Sequence, residues 1–235
     1  MRKDKRKNSD LRKITIKPNF LKYAESSVLI SQGNTKVICS ATLEDKVPPH
    51  LRNQGTGWIT AEYFMLPRSS HKRSPRQKIL HSGRTLEIQR LIGRSLRAVT
   101  DLSVLKERTI VIDCDVIQAD GGTRTTSISG AFTALCLMLK KLQRQKTISV
   151  WPIKHNLAAV SAGIINNIPM LDLCYEEDVN AEVDMNIVMT DKGNFVEIQG
   201  TGEKTVFNEE QLKAMLTLAK KGIKEIIEIQ KKIIK

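Results

Sequence analysis

The chain has 235 residues, 40% of them apolar and 27% charged, the balance of a soluble globular protein with room for a real core. No apolar run is long enough to cross a bilayer, and the Lys- and Arg-bearing start has no apolar segment behind it, so the expectation is a cytoplasmic chain with no membrane partner and no secretory route. A net charge of +13 suggests a polyanionic partner, or more blandly solubility through excess lysine; with aromatics at only 4%, a nucleic acid would be held by its phosphates rather than by base stacking.

Residues 1–13 carry seven basic and two acidic side chains and should fray before Ile14-Thr15-Ile16 opens a strand. Residues 27–32 and 35–43 alternate as strands about a Gly33-Asn34 hairpin turn. Residues 57–66 read as a further strand that stops at Pro67. The loop that follows, 68–78, holds three arginines, two lysines and a histidine without one acid. Such a loop repels itself unless an anion lies across it; the plainer alternative is a solvated basic loop.

Thr85 reads as the cap of a helix with Ile88, Leu91, Ile92, Ser95, Leu96 and Val99 on its apolar face. Arg84 stands just before its first turn, where a helix N-terminus holds anions. Arg90, Arg94 and Arg97 recur on another face as a solvated or subunit-facing stripe.

The centre of the chain is a strand over 109–116 and an apolar helix over 128–142, joined by a polar, glycine-rich stretch. Gly121 and Gly122 let the backbone turn with its N–H groups outward, and the new helix aims free amides at the same place. Thr123, Thr125 and Ser127 add hydroxyls and Arg124 a positive fork, a set suited to phosphate. A Gly-Gly turn with Thr or Ser merely capping a helix is the structural alternative.

The pattern then restarts, with strands at 157–165, 170–174, 183–189 and 195–199, and turns at Asn166-Asn167 and Lys192-Gly193. A last helix follows Asn208, whose side chain can cap while Gln211 reciprocates. Strands followed by helices, twice over, suggest a single domain of two α+β halves, approximately 1–145 and 146–235. Cys39, Cys114, Cys136 and Cys174 have no zinc-site spacing and read as reduced. The histidines 50, 71, 81 and 155 fall in expected surface loops.

Between Asp172 and Asp184 lie six carboxylates with no Lys or Arg among them. Asp184 shares a strand face with Asn186 and Val188, and Asp178 lies in the loop before it, so the two could converge on a hard cation such as Mg²⁺. Glu176, Glu177 and Glu182 read instead as acids of a surface loop that pair with lysines elsewhere. No activated nucleophile is visible. A phosphate cradle, an arginine at a helix start and a carboxylate pair suit phosphoryl or nucleotidyl transfer, which needs positioning and charge neutralisation.

At these residues the sequence resembles the RNase PH family of phosphorolytic 3′-to-5′ exoribonucleases. The resemblance is carried by Gly57-Trp58-Ile59-Thr60-Ala61-Glu62-Tyr63 and Met65-Leu66-Pro67-Arg68; by the run from Gly83-Arg84-Thr85 to Gly93-Arg94; by Asp113-Cys114-Asp115-Val116 and Gly122-Thr123-Arg124-Thr125; and by Glu177-Asp178, Asp184-Met185-Asn186 and Val196-Glu197-Ile198-Gln199-Gly200-Thr201. It implies a duplicated βαβ core, with mixed sheets packed with helices. It also implies a homohexameric ring, a trimer of dimers, and a tRNA nucleotidyltransferase activity that removes 3′ nucleotides as nucleoside diphosphates. Inorganic phosphate is then the co-substrate and Mg²⁺ the cofactor; tRNA precursors are the RNA partner, with rRNA a further class. By the same resemblance Arg84, Gly122, Thr123 and Arg124, helped by Thr125 and Ser127, bind phosphate. Asp178 and Asp184 bind Mg²⁺, with Asp184 the proton donor, and Arg68, Arg73 and Arg76 grip the RNA. A catalytically silent RNA-binding subunit of an exosome-like ring is the alternative, and a hydrolytic nuclease a weaker third.

Overall fold

The computed structural model describes residues 2–80 and 82–235, so that His81 and its expected surface placement lie outside the described residues. Among these residues the first half builds β1 (Ile14–Pro18), β2 (Ser26–Gln32), β3 (Thr35–Glu44), β4 (Trp58–Met65), a short α1 (Arg76–Leu80), α2 (Gly83–Ala98), β5 (Thr109–Gln118) and α3 (Thr123–Arg144). The second adds β6 (Leu157–Ile165), β7 (Ile168–Leu171), α4 (Tyr175–Asn180), β8 (Val183–Thr190), β9 (Phe195–Gly202) and α5 (Glu209–Ile234).

The first sheet runs β1-β2-β3-β5-β4, antiparallel except for the parallel pair β4 and β5, whose crossover carries α1 and α2. The second runs β7-β6-β8-β9, antiparallel throughout. The fold is α+β, its two sheets separated and covered by helices. α3 is apolar on nearly every side because it is buried between the sheets, touching β2, β3, β5 and β6. β6 is buried on both faces in turn: Leu157 and Ala159 join the core under α3, while Ala158, Val160 and Ala162 join the core under α5.

The Gly33 turn forms with Gly33 at φ +57°, and Asn166 and Asn167 take the left-handed conformations of a tight turn. The Asn208–Gln211 capping box opens α5 as expected. All four cysteines are free thiols; Cys39 and Cys114 lie opposite each other on β3 and β5 with sulfurs 3.8 Å apart. His50 and His71 are exposed and His155 is half-buried.

Two expectations need correction. The cap of α2 is Ser82, whose hydroxyl accepts from the Thr85 amide at 3.1 Å; Thr85 is buried inside the first turn, and Arg84 is therefore a first-turn residue. The basic segment 2–13 is held rather than frayed. Arg2 donates to both Glu177 oxygens at 2.7 and 2.6 Å and to the Leu171 carbonyl at 2.8 Å, Lys3 pairs with Glu176 at 2.6 Å, and Arg12 pairs with Asp172 at 2.6 Å. The acidic run and the basic segment are each other's counterions, so Glu176 and Glu177 have the pairing role expected of surface acids, with the N-terminal segment as the partner.

Candidate active site

Strand β5 delivers the chain to Gly121 (φ +74°) and Gly122 (φ +65°), and α3 begins at Thr123. A Cβ on Gly121 would lie 2.4 Å from the Leu173 carbonyl oxygen, so no other residue fits this turn. The first helical bond is from the Thr126 amide to the Gly122 carbonyl at 2.9 Å, which leaves the amides of Thr123, Arg124 and Thr125 without an intrahelical acceptor. The carbonyls of the turn are satisfied from behind. Arg12 donates to those of Asp120 and Gly121, and the Thr35 hydroxyl donates to Gly121 at 2.7 Å. With its acceptors taken on the far side, the turn presents donors to the cavity.

That cavity has a volume of about 530 Å³, and its lining includes Arg84, Gly122, Thr123, Arg124, Asp178 and Asp184. Six of the eight residues expected to bind phosphate or metal thus converge on one space from α2, α3, α4 and β8. Tyr63 donates to the Thr123 hydroxyl oxygen at 2.9 Å, which leaves the threonine proton free to point elsewhere. Burial holds the Tyr63 phenol above its usual range, so it stays a donor.

Thr125 and Ser127 are not brought to the cavity. Both are buried, and their hydroxyls turn back to donate to the carbonyls of Gly122 (2.9 Å) and Thr123 (2.8 Å). Asp178 lies on the short helix α4 rather than in an open loop.

Asp184 is pushed up to about 6, first by burial and then by the charge of Asp178, while burial also raises Asp178. Asn186 donates to Asp184 Oδ2 at 3.3 Å; Oδ1 is buried without a hydrogen-bond partner. Two adjacent carboxylates that repel each other, one with an orphaned buried oxygen, are a donor set that a hard divalent cation would satisfy. Among the described residues no group of three or more His, Cys, Asp or Glu side chains is placed to hold a metal ion.

Arg68, Arg73 and Arg76 are exposed. Arg68 donates to the His71 carbonyl at 2.7 Å and Arg76 opens α1; Ser70 and His71 of the same loop line the cavity, while the three arginines do not. Of the arginine stripe on α2, Arg90 and Arg94 are exposed, as expected of a solvated face, although Arg94 also pairs with Glu197 at 2.5 Å; Arg97 is half-buried, stacks over Trp58 with 4.2 Å to the ring centroid and donates to the Ile59 carbonyl.

Sequence reasoning missed residues that support this site: Arg12 behind the turn, Tyr63 beneath Thr123, and Glu87 and Gln199 against Arg124; Asp172, the partner of Arg12, was seen only as one of the six clustered carboxylates. Tyr63, Glu87 and Gln199 stand within the stretches that carry the family resemblance, the one signal that could have flagged them.

Residues 10–140 match domain 1 of the 3′ exoribonuclease family, RNase PH, and residues 155–222 match its domain 2. The chain belongs to the RNase PH family of 3′ exoribonucleases. It is 60% identical over 234 residues to the ribonuclease PH of Halalkalibacterium halodurans, covering 98% of this chain and 91% of that one. With the ribonuclease PH of Bacillus pumilus the identity is 59% over 236 residues, covering 99% and 98%. Among solved structures, an Archaeoglobus fulgidus exosome with RNA bound to the active site matches with a TM-score of 0.81 at 22% identity, covering 97% of this chain and 91% of that one. An archaeal exosome core matches with a TM-score of 0.76 at 20% identity, covering 97% and 90%. At these identities the structural matches speak for the fold.

Proposed function

We infer that the chain is a phosphate-dependent 3′-to-5′ exoribonuclease, a tRNA nucleotidyltransferase that removes the 3′-terminal nucleotides of tRNA precursors as nucleoside diphosphates. The observation that carries this reading is the meeting, in one cavity, of an anion cradle made by Arg84, Arg124 and the α3 amides with the Asp178–Asp184 pair. Relatives named ribonuclease PH at 59–60% identity over nearly the whole chain support it.

Inorganic phosphate sits on the amides of Thr123 and Arg124 that open α3, with the Thr123 hydroxyl and the guanidinium groups of Arg84 and Arg124 around it. An oxygen of this phosphate forms a bond to the phosphorus of the terminal phosphodiester. The bond from that phosphorus to the 3′ oxygen of the preceding ribose breaks, releasing a nucleoside diphosphate and a shortened RNA. The departing 3′ oxygen needs a proton; Asp184, which burial and Asp178 keep protonated nearer neutrality than an ordinary carboxylate, supplies it. Asp178 and Asp184 would hold Mg²⁺, which when bound neutralises charge where two anions must approach. Bonds of similar energy are broken and made, so the reaction runs in reverse with nucleoside diphosphates.

Arg68, Arg73 and Arg76, exposed on the segment whose Ser70 and His71 line the cavity, hold the RNA backbone, with rRNA a further substrate class. The two α+β halves, approximately 1–145 and 146–235, act as one domain because the cavity takes residues from both. The working assembly is a homohexamer, a trimer of dimers, in the cytoplasm. No helix among the described residues is long and apolar enough to cross a membrane. A silent ring subunit would have no use for the arginines and the acidic pair, and both are present.

Arg84→Ala is the test of the phosphate site. Loss of one charge-assisted contact should raise KM for phosphate by about 10- to 100-fold with RNA affinity within about 3-fold of the parent, read by phosphate titration and by RNA binding without phosphate. An unchanged phosphate dependence would remove Arg84 from the site.

A further inference from the structure

We propose that Gln199 is a positioning residue for Arg124 and keeps the phosphate-binding guanidinium from collapsing onto Glu87. The inference rests on the phosphorolytic reading above and adds to it what holds the arginine in place.

Arg124 Nη1 donates to Gln199 Oε1 at 2.5 Å and stands 3.5 Å from Glu87 Oε1, while Gln199 Nε2 donates to that same Glu87 oxygen at 2.8 Å. Arg124 lines the cavity; Glu87 and Gln199 are absent from its lining, and both oxygens face Nη1 of the guanidinium. The side chain between them has to accept from a cation and donate to an anion at once. An amide does this with its two ends; a carboxylate would repel Glu87 and an ammonium would repel Arg124. Without the amide, arginine and glutamate would close into a direct, bidentate pair, and the fork would be withdrawn from phosphate.

The network also spans the two halves. Glu87 is on α2, three residues after Arg84; Arg124 is on α3; Gln199 is on β9, directly opposite Asn186 of β8, whose amide donates to Asp184. The β8–β9 register therefore places the support of the phosphate arginine beside the support of the proton donor. Two residues earlier on the same strand and face, Glu197 pairs with Arg94 of α2 at 2.5 Å, so this face of the second sheet meets α2 at two successive positions.

The test is a set of three variants of the full chain, with phosphate and RNA titrated separately. Gln199→Met keeps the side chain's length and loses both hydrogen bonds; KM for phosphate should rise about 10- to 30-fold, with kcat at saturating phosphate and KM for RNA within about 3-fold of the parent. Glu87→Gln removes the competing anion and should leave KM for phosphate unchanged or lower it, by up to about 5-fold. The double variant should bind phosphate better than Gln199→Met alone, because the arginine no longer has a carboxylate to collapse onto. A merely structural role would make the double variant worse than either single one and lower kcat in all three. The proposal is overturned by an unmoved phosphate KM in Gln199→Met, by a raised one in Glu87→Gln, or by a double variant without recovery. If Gln199→Met does not fold, the direction of the change in Glu87→Gln still decides. A wild-type protein with no phosphate dependence would instead sink the phosphorolytic reading itself.

Discussion

Asp184→Asn should lower phosphorolysis by about 10³-fold or more and, in the same protein, raise stability at neutral pH. The loss of activity follows because asparagine can neither deliver the proton nor match a carboxylate in holding a divalent cation. The gain in stability follows from linkage. The folded carboxyl titrates at about 6 against an ordinary value of 3.8, burial being the first cause and Asp178 the second. Between those two values the folded chain binds more protons than the unfolded one, so stability falls as pH rises through this window and the full penalty applies above it. That difference corresponds to up to about 3 kcal/mol at neutral pH. Asparagine is neutral at every pH and escapes the penalty. In chelator-containing buffer at pH 7.5 the variant should melt higher by about 5 °C, and the advantage should shrink through the window and vanish only well below the unfolded value of 3.8, where aspartate is neutral in both states. A variant that melts lower at pH 7.5 would mean that the charged carboxylate is satisfied in the fold, contrary to its orphaned Oδ1.

Arg12→Met should have the opposite profile. Asp172 is 1% exposed and accepts from the Arg12 backbone amide at 2.7 Å and from its guanidinium at 2.6 and 3.1 Å. Burial alone would raise the carboxyl; the Arg12 guanidinium outweighs burial and holds it below the usual range. The native pair therefore contributes stability above the unfolded value of 3.8 that is lost as pH falls through the lower folded value. Methionine leaves a buried carboxylate with Arg6 at 3.5 Å as its remaining ionic partner, at a cost of about 3–5 kcal/mol. The pH dependence then inverts: the variant should gain stability on acidification from pH 7 to 5, as Asp172 takes up a proton to escape its uncompensated charge. Denaturant melts across that range check both signs. Activity should fall as well, since Arg12 also holds the Asp120 and Gly121 carbonyls behind the phosphate turn.

What could be seen in the sequence was local. The Gly33 hairpin, the Asn208–Gln211 capping box and the alternation that puts Asp184 and Asn186 on one face are each set by residues within a few positions of one another. The cap of α2 was misplaced by three residues because Ser82 and Thr85 both offer a hydroxyl at cap spacing, and only the backbone decides which accepts. Thr125 and Ser127 belong to the right turn, but a helical hydroxyl can reach back to a carbonyl three or four residues earlier, and that bond takes them out of the site. α4 is six residues long, too short for a 3.6-residue period to show, so Asp178 read as loop.

The remainder depends on pairings across the whole chain. Arg2 meets Glu177 and Arg12 meets Asp172 over separations of 175 and 160 residues, which no local pattern encodes, and a cluster of like charges read alone looks like a fraying tail. Glu87, Arg124 and Gln199 come from three elements in two halves. Their meeting is a product of the tertiary fold.

The phosphorolytic account is tested most directly by incubating the purified protein and Mg²⁺ with a tRNA bearing a short labelled 3′ tail, with and without inorganic phosphate, and identifying the released nucleotide. Release of nucleoside diphosphates that requires phosphate is the predicted result. Nucleoside monophosphates released with or without phosphate would contradict it, because the Gly121–Gly122 turn and its arginines would then be holding something other than the attacking group.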